Sequence, residues 1–215
     1  MEEILNKYPL LSNQSVPRET FLDFEIFINM LQKRNEEINI ISRETAKNEL
    51  IRNRHIVDSA QIIEFIDLNS KIIADIGSGG GMPGIIISIM LKNSEKPTKV
   101  KLYEKSHHKS SFLRKVSRDL KLNTEVIQKN IFDTQDLESG TIMARAFKSL
   151  PIMLELVYKN FKNYKNLILF MGKNGEKILE ETLKNWDFDF EKKKSVTSED
   201  SFLLNIKNIK KKIKN

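Results

Sequence analysis

Lys71-Ile72-Ile73-Ala74-Asp75-Ile76-Gly77-Ser78-Gly79-Gly80-Gly81-Met82-Pro83-Gly84 is the stretch whose reading decides the fold of this chain. It begins as a short apolar run, Ile72-Ile73-Ala74, of the kind a buried parallel strand shows. Asp75 closes the run, and Gly77, Gly79, Gly80, Gly81 and Gly84 follow in quick succession. Pro83 stands at the first turn of an expected helix, and Ile85-Ile86-Ile87 continues that helix with apolar residues. Strand, glycine loop and helix in this order make a cradle. Bare backbone can approach a ligand closely, and a helix N-terminus directs amide groups at it. The stretch therefore predicts a site for a nucleotide-like cofactor.

Two cofactors fit such a loop. Gly79-Gly80-Gly81-Met82-Pro83-Gly84 matches G-x-G-x-x-G, the dinucleotide fingerprint, but it sits about two residues later than a turn that closes directly after the strand. Counted from Gly77, the third glycine is missing. An acid at the strand end followed by G-x-G, here Asp75-Ile76-Gly77-Ser78-Gly79, looks instead like the first motif of S-adenosylmethionine-dependent methyltransferases. A carboxylate there suits an ammonium and a sulfonium and suits a pyrophosphate badly.

Outward from this stretch, strand and helix patterns alternate. Strands are expected at 71–75, 99–103, 124–128, 141–144 and 167–171, with helices at 83–91, 106–120, 151–161 and 175–184. Two extended segments, 188–196 and 202–206, have no helix between them and can pair as a hairpin. The pattern predicts an α/β fold with a doubly wound, mostly parallel sheet and an antiparallel C-terminal hairpin. Ahead of it, Phe21, Phe24, Ile28 and Leu31 recur at helical spacing over 17–37, and a second amphipathic helix is expected over 45–66. The organisation read from the sequence is an N-terminal helical extension (1–70) packed on a cofactor-binding core (71–206), then a basic tail (207–215), all one structural domain.

The chain's 215 residues contain no cysteine, which removes disulfides, zinc-thiolate sites and a thiol nucleophile. No apolar run reaches the ~18 residues of a membrane span, and the start lacks the basic-then-apolar pattern of a secretion signal, so a cytoplasmic protein that makes no membrane contact is expected. His107-His108 has no third ligand nearby, and no metal site is expected. A net charge of +7, from 36 Lys+Arg against 29 Asp+Glu, favours polyanionic partners, although the chain is lysine-rich throughout.

Four further positions carry chemistry. Glu104 ends the second strand, where an acid reaches the ribose hydroxyls of an adenosine group; acids at strand ends are also common without that role. Asn130 and Ile131 follow the third strand, where a base edge and an adenine ring would lie, or where an ordinary turn would. Arg145 follows the fourth strand, at the sheet edge where ligands bind, or makes a surface ion pair. In Arg54-His55-Ile56-Val57-Asp58-Ser59 the i,i+4 neighbours Arg54 and Asp58, and His55 and Ser59, either form a functional box or make a surface ion pair and a capping-type contact. The Asn/Asp-Pro-Pro-Tyr/Phe type motif of amine methylation is missing.

Taken together, Asn39-Ile40-Ile41-Ser42, the Arg54–Ser59 box, the 75–84 loop, Lys109-Ser110-Ser111-Phe112-Leu113 and Arg145-Ala146-Phe147 resemble the bacterial RsmG (GidB) family of small-subunit ribosomal RNA guanine-N7 methyltransferases. The resemblance spans about residues 20–206. It implies a class I methyltransferase (Rossmann-like) fold and S-adenosylmethionine bound by Gly77, Met82, Asn130, Ile131 and Arg145, beside Asp75, Gly79 and Glu104 from the motif reading. It implies methyl transfer to N7 of guanine 527 in 16S rRNA, alone or in a small-subunit particle. N7 has a lone pair and no proton, so no general base is needed and no catalytic residue is assigned; Arg145 is expected to position. Arg54, His55, Lys105, Lys109 and Lys173 are the expected RNA contacts. Lys173 stands across Gly172 from the position where the family usually has lysine, occupied here by Met171. The chain is expected to be a monomer. Three other readings remain open: a methyltransferase of the same fold acting on another RNA, a small molecule or a protein; a nicotinamide-dependent oxidoreductase; and a non-catalytic RNA-binding module.

Overall fold

The computed structural model describes residues 17–42 and 48–213. The start of the expected second helix and the end of the expected tail lie outside these residues.

Helix α1 spans Arg18–Glu37 and buries Phe24, Phe27, Ile28 and Leu31 along one stripe. Past its end, the Asn35 side chain accepts from the backbone N–H groups of Ile40 (2.7 Å) and Ile41 (2.9 Å). This turns the 39–42 segment back over the core. Helix α2 occupies 48–65, but it is not uniform. Asn48–Ile51 is α-helical, Arg52–Val57 is a π-turn, Asp58–Ala60 returns to α, and Gln61–Phe65 tightens to 3-10. Apolar periodicity read this stretch as a plain α-helix, because a single widened turn leaves no mark on the pattern.

The core alternates as expected: β1 (Ile72–Ile76), α3 (Gly84–Met90), β2 (Lys99–Tyr103), α4 (His107–Asp119), β3 (Thr124–Ile127), β4 (Leu137–Glu138), β5 (Thr141–Ala144), α5 (Leu150–Asn160), β6 (Phe161–Lys162), β7 (Asn166–Met171), α6 (Gly175–Leu183), β8 (Trp186–Lys194) and β9 (Phe202–Lys211). The sheet order is β3-β2-β1-β5-β7-β9-β8. All neighbours are parallel except β9, which runs antiparallel to both β7 and β8. The pleat sends alternate residues to opposite faces. Ile73 of β1 joins the core beneath α1, α2, α3 and α4, with Phe27, Ile56, Ile85, Phe112 and Leu113. Ala74 and Ile76 join the core beneath α5 and α6, with Met153, Leu154, Val157 and Leu179. Two-sided burial is why these strands read as unbroken apolar runs.

Two further features differ from the sequence reading. The short parallel pair β4 and β6 was not foreseen, since two-residue strands carry no periodicity. Strand β9 continues past Ile206 to Lys211, into the stretch expected to be a tail: Ile209 is buried while Lys207, Lys210 and Lys211 stay exposed. The strand stays on the sheet through antiparallel pairing with β8 as far as Lys211, with Ile209 as its inward side chain. Among the described residues, no helix is long and apolar enough to cross a membrane.

Candidate active site

The order in which successive strands join the sheet reverses between the parallel neighbours β1 and β5, and in such sheets ligands bind beyond the C-terminal ends of the strands at that point. A cavity of about 370 Å³ opens there.

The glycine loop forms its floor. The backbone N–H groups of Gly77 (2.9 Å) and Ser78 (3.0 Å) both donate to the Tyr103 carbonyl, so the loop is tied across the end of β2. Gly77 has φ +71°, and a Cβ there would lie 2.2 Å from Cδ2 of Phe147. The aromatic ring after β5 thus packs directly on the loop, and any side chain at 77 would displace it. Glu104 clamps the same loop from the other side. Its Oε2 accepts from Gly79 N (3.0 Å) and its Oε1 from Ser106 N (2.7 Å), at the start of α4. Each oxygen keeps lone-pair capacity beyond its backbone partner.

Asp75 is a correction to the sequence reading. It does not line the cavity; it lies beneath the loop, 1% exposed. Its Oδ2 accepts from Gly84 N (3.0 Å), the first residue of α3, so it braces the turn from loop to helix. Burial pushes its carboxyl up to about 7, with the nearby Glu104 adding to the effect and bonds from Ser78 and Gly84 opposing it. A Cβ on Gly84 would lie 2.4 Å from that same Oδ2, so the brace requires glycine.

Asn130 and Ile131 both line the cavity. The Asn130 side chain is occupied locally: its Oδ1 accepts from Phe132 N (3.4 Å) and its Nδ2 donates to Asp133 (3.1 Å), which caps a short 3-10 turn. Lys105, Lys109 and Lys129 stand around the cavity, the first and last of them exposed.

Arg145 closes the far end. Its Nη2 donates to the Arg54 carbonyl (2.7 Å) and meets His55 Nδ1 (3.1 Å); its Nη1 donates to Ser59 Oγ (3.2 Å); its Nε faces Asp58 Oδ2 (3.4 Å). The Phe170 ring packs against the guanidinium, 5.8 Å from centroid to Cζ. The Arg54–Ser59 box is therefore built around Arg145. Asp58 and Ser59 bond to Arg145 rather than to Arg54 and His55, which corrects the i,i+4 pairing read from the sequence. Asp58 also accepts from Gln61 (2.7 Å) and Thr197 (2.7 Å), joining α2 to the β8–β9 loop. Burial lowers the Arg145 guanidinium against the opposing pull of Asp58. Burial, then Arg145 and Arg54, lower His55 to about 4, so its ring is neutral at pH 7.

The structure thus brings Gly77, Gly79, Met82, Glu104, Asn130, Ile131, Arg145, His55, Lys105 and Lys109 to one cavity. Arg54 instead lines a second groove on the other side of Arg145, with Phe170, Gly172 and Ser198. Lys173 is exposed on the turn after β7 and lines neither space. Sequence reasoning missed Ile40 and Ile41, which pack over Gly80, and also Tyr103, Lys129 and Phe147. Asn39–Ser42 and Phe147 stood inside quoted motifs but had no role assigned; nothing marked Lys129.

Strand order, antiparallel β9 and the glycine-loop cavity define the class I methyltransferase fold. Two solved structures share it at a level that shows fold alone. The 16S rRNA methylase RmtB matches with TM-score 0.52 and 10% identity, over 89% of this chain and 75% of that one. A SAM-dependent methyltransferase from Aquifex aeolicus matches with TM-score 0.52 and 15% identity, over 69% and 88%. Within that fold, the chain belongs to the GidB family, rRNA small subunit methyltransferase G, whose model matches residues 21–205. Ribosomal RNA small subunit methyltransferase G of Pelagibacter ubique (strain HTCC1062) is 79% identical over 99% of this chain and 100% of its own length. The Rickettsia felis protein of the same name is 33% identical over 91% and 97%.

Proposed function

We propose that the cavity binds S-adenosylmethionine and that the chain methylates N7 of guanine 527 in 16S rRNA, in the cytoplasm. The observation that carries this reading is the meeting of the glycine loop, Glu104, the 130–131 turn and the Arg145 cluster in one space. Its residues fit the cofactor. The cavity lies within the range of small-molecule sites, about 300–1,000 Å³. Glu104 offers acceptors for ribose hydroxyls, Ile131 and Met82 offer apolar surface, and Gly77 and Gly79 present backbone.

When bound, the cofactor supplies an electrophilic methyl on a sulfonium. The protein's part is alignment and charge. Ile40 and Ile41 pack over Gly80 of the glycine loop and add apolar surface to the cavity. Arg145 holds α2 against the end of β5, beside the cavity that both Arg145 and His55 line. Guanine N7 needs no base to remove a proton, which agrees with a neutral His55 whose Nδ1 is already engaged. Lys105, Lys109 and Lys129 place positive charge where rRNA phosphates would approach, Arg54 extends it into the second groove, and Lys173 stands exposed beyond it.

Calorimetry should show binding of S-adenosylmethionine and S-adenosylhomocysteine and none of NAD. Borohydride–aniline treatment, which cleaves at N7-methylated guanine, should cut 16S rRNA at one position only after incubation with protein and cofactor. A methyl found on an exocyclic amine or a ribose oxygen would refute the N7 assignment.

A further inference from the structure

His55 carries a feature that positioning of the cofactor and RNA does not explain. Arg145 Nη2 lies 3.1 Å from His55 Nδ1. A guanidinium has only donors, so Nδ1 must offer its lone pair. A neutral imidazole with an unprotonated Nδ1 carries its proton on Nε2. That Nε2 is buried and has no hydrogen-bond partner among the described residues. The whole side chain belongs to a residue only 9% exposed, and it lines the cavity. Buried donors in native proteins are almost always satisfied, so an unpartnered one on a residue that lines a ligand cavity points to a ligand that completes it.

We propose that Arg145 fixes His55 as the Nε2–H tautomer and that this N–H donates to an oxygen of a molecule bound in the cavity. The proposal rests on the methyltransferase reading and assigns Arg145 as a positioning residue that acts through the ring. Neutrality of the ring matters to the chemistry, because the sulfonium and the N7-methylated guanine are both cationic. An imidazolium beside them would repel both. The charged groups around the ring agree: Arg145 and Arg54 disfavour its protonation, and Asp58 is committed to Arg145, Gln61 and Thr197. Two oxygens present the required acceptor chemistry: the carboxylate of the cofactor, and O6 of guanine, which adenine lacks.

The test is ¹⁵N NMR of histidine-labelled protein. The chain has three histidines, and a His55→Gln variant assigns the resonance. The free protein at pH 7 should show His55 neutral with the proton on Nε2; Arg145→Gln should lose that single-tautomer signature. An Nδ1–H tautomer or an imidazolium overturns the proposal. S-adenosylhomocysteine is then added. A shift of the Nε2–H proton, with slower exchange, assigns the acceptor to the cofactor, and His55→Phe should weaken its binding on the order of tenfold while His55→Gln, which keeps an N–H near the same place, loses less. An unshifted proton assigns the acceptor to guanine. In that case His55→Phe should bind S-adenosylhomocysteine normally but lose on the order of tenfold in kcat/KM on 30S particles. His55→Phe unaltered in both measurements overturns the proposal. Failure of the native protein to bind S-adenosylhomocysteine would instead overturn the cofactor reading and leave the tautomer result of the free protein to be judged separately.

Discussion

The two ends of the cavity are built in different ways. At the glycine-loop end, the bonds are short-range or join the ends of adjacent strands: Gly79 bonds to Glu104 beyond the neighbouring strand, Glu104 to Ser106, and Asn130 to Phe132 and Asp133. Strand, loop and helix follow one another there, and their backbone supplies the partners. At the other end, Arg145 bonds to residues 86–91 positions earlier in the chain. Nothing local holds it; its hydrogen-bond partners all come from α2. The glycine-loop end is built from consecutive βα units of the core, whereas the Arg145 end exists only when the N-terminal helices and the core are together. Affinity for a common cofactor can come from the first.

The largest expected effect tests that dependence. Arg145→Ala leaves Asp58 without its guanidinium and opens the joint between α2 and β5. It should cost about 3–5 kcal/mol in urea unfolding and abolish rRNA methylation. A variant of unaltered stability would show that the two halves meet without Arg145, and the contrast between the two ends would fail.

Asp75 gives the next effect, on the local side. Its folded value near 7 stands above the ordinary 3.8, so the native state holds the proton more tightly than the unfolded chain. Its contribution is fully present below about pH 4 and is lost as pH rises through about 7, up to about 4 kcal/mol. Asp75→Asn keeps an acceptor for Gly84 N–H and removes the titration. The stability of the native protein relative to this variant should therefore fall between about pH 4 and pH 7, as read by urea unfolding at several pH values. A constant difference across that window would mean that the carboxyl is ionised beneath the loop.

Gly77→Val should cost about 1–3 kcal/mol, because a β-branched residue is strained at φ +71° and its Cβ strikes the Phe147 ring. Calorimetry should find S-adenosylhomocysteine binding lost in a protein that still melts cooperatively. Retained affinity would detach the loop from the cofactor.

The smallest effects concern charge. Lys105→Ala, Lys109→Ala and Lys129→Ala should each lower the log–log salt slope of activity on rRNA particles by about one unit, with cofactor affinity unchanged. Lys173→Ala measures how far the RNA reaches past the second groove; an unaltered slope would confine the contacts to the cavity side.

From residues 71–84 alone, sequence determined a strand, a glycine turn and a helix, since apolar runs, glycines and a proline act through backbone geometry within a few residues. The same local logic placed Glu104, Asn130 and Ile131 at strand ends, and the motifs named the family. Tertiary structure alone decided what lay between distant residues. It moved Asp75 from the ligand to the underside of its own loop, because the glycine turn folds the Gly84 N–H onto that carboxylate. It moved Asp58 and Ser59 from partners on their own helix to Arg145, because a π-turn and the docking of α2 present them to β5. It also put Phe147 in the space that Gly77 leaves empty. Spacing along a chain reports which side chains share a face of one element. Which faces then meet is set by burial across the whole molecule, and no window of sequence contains it.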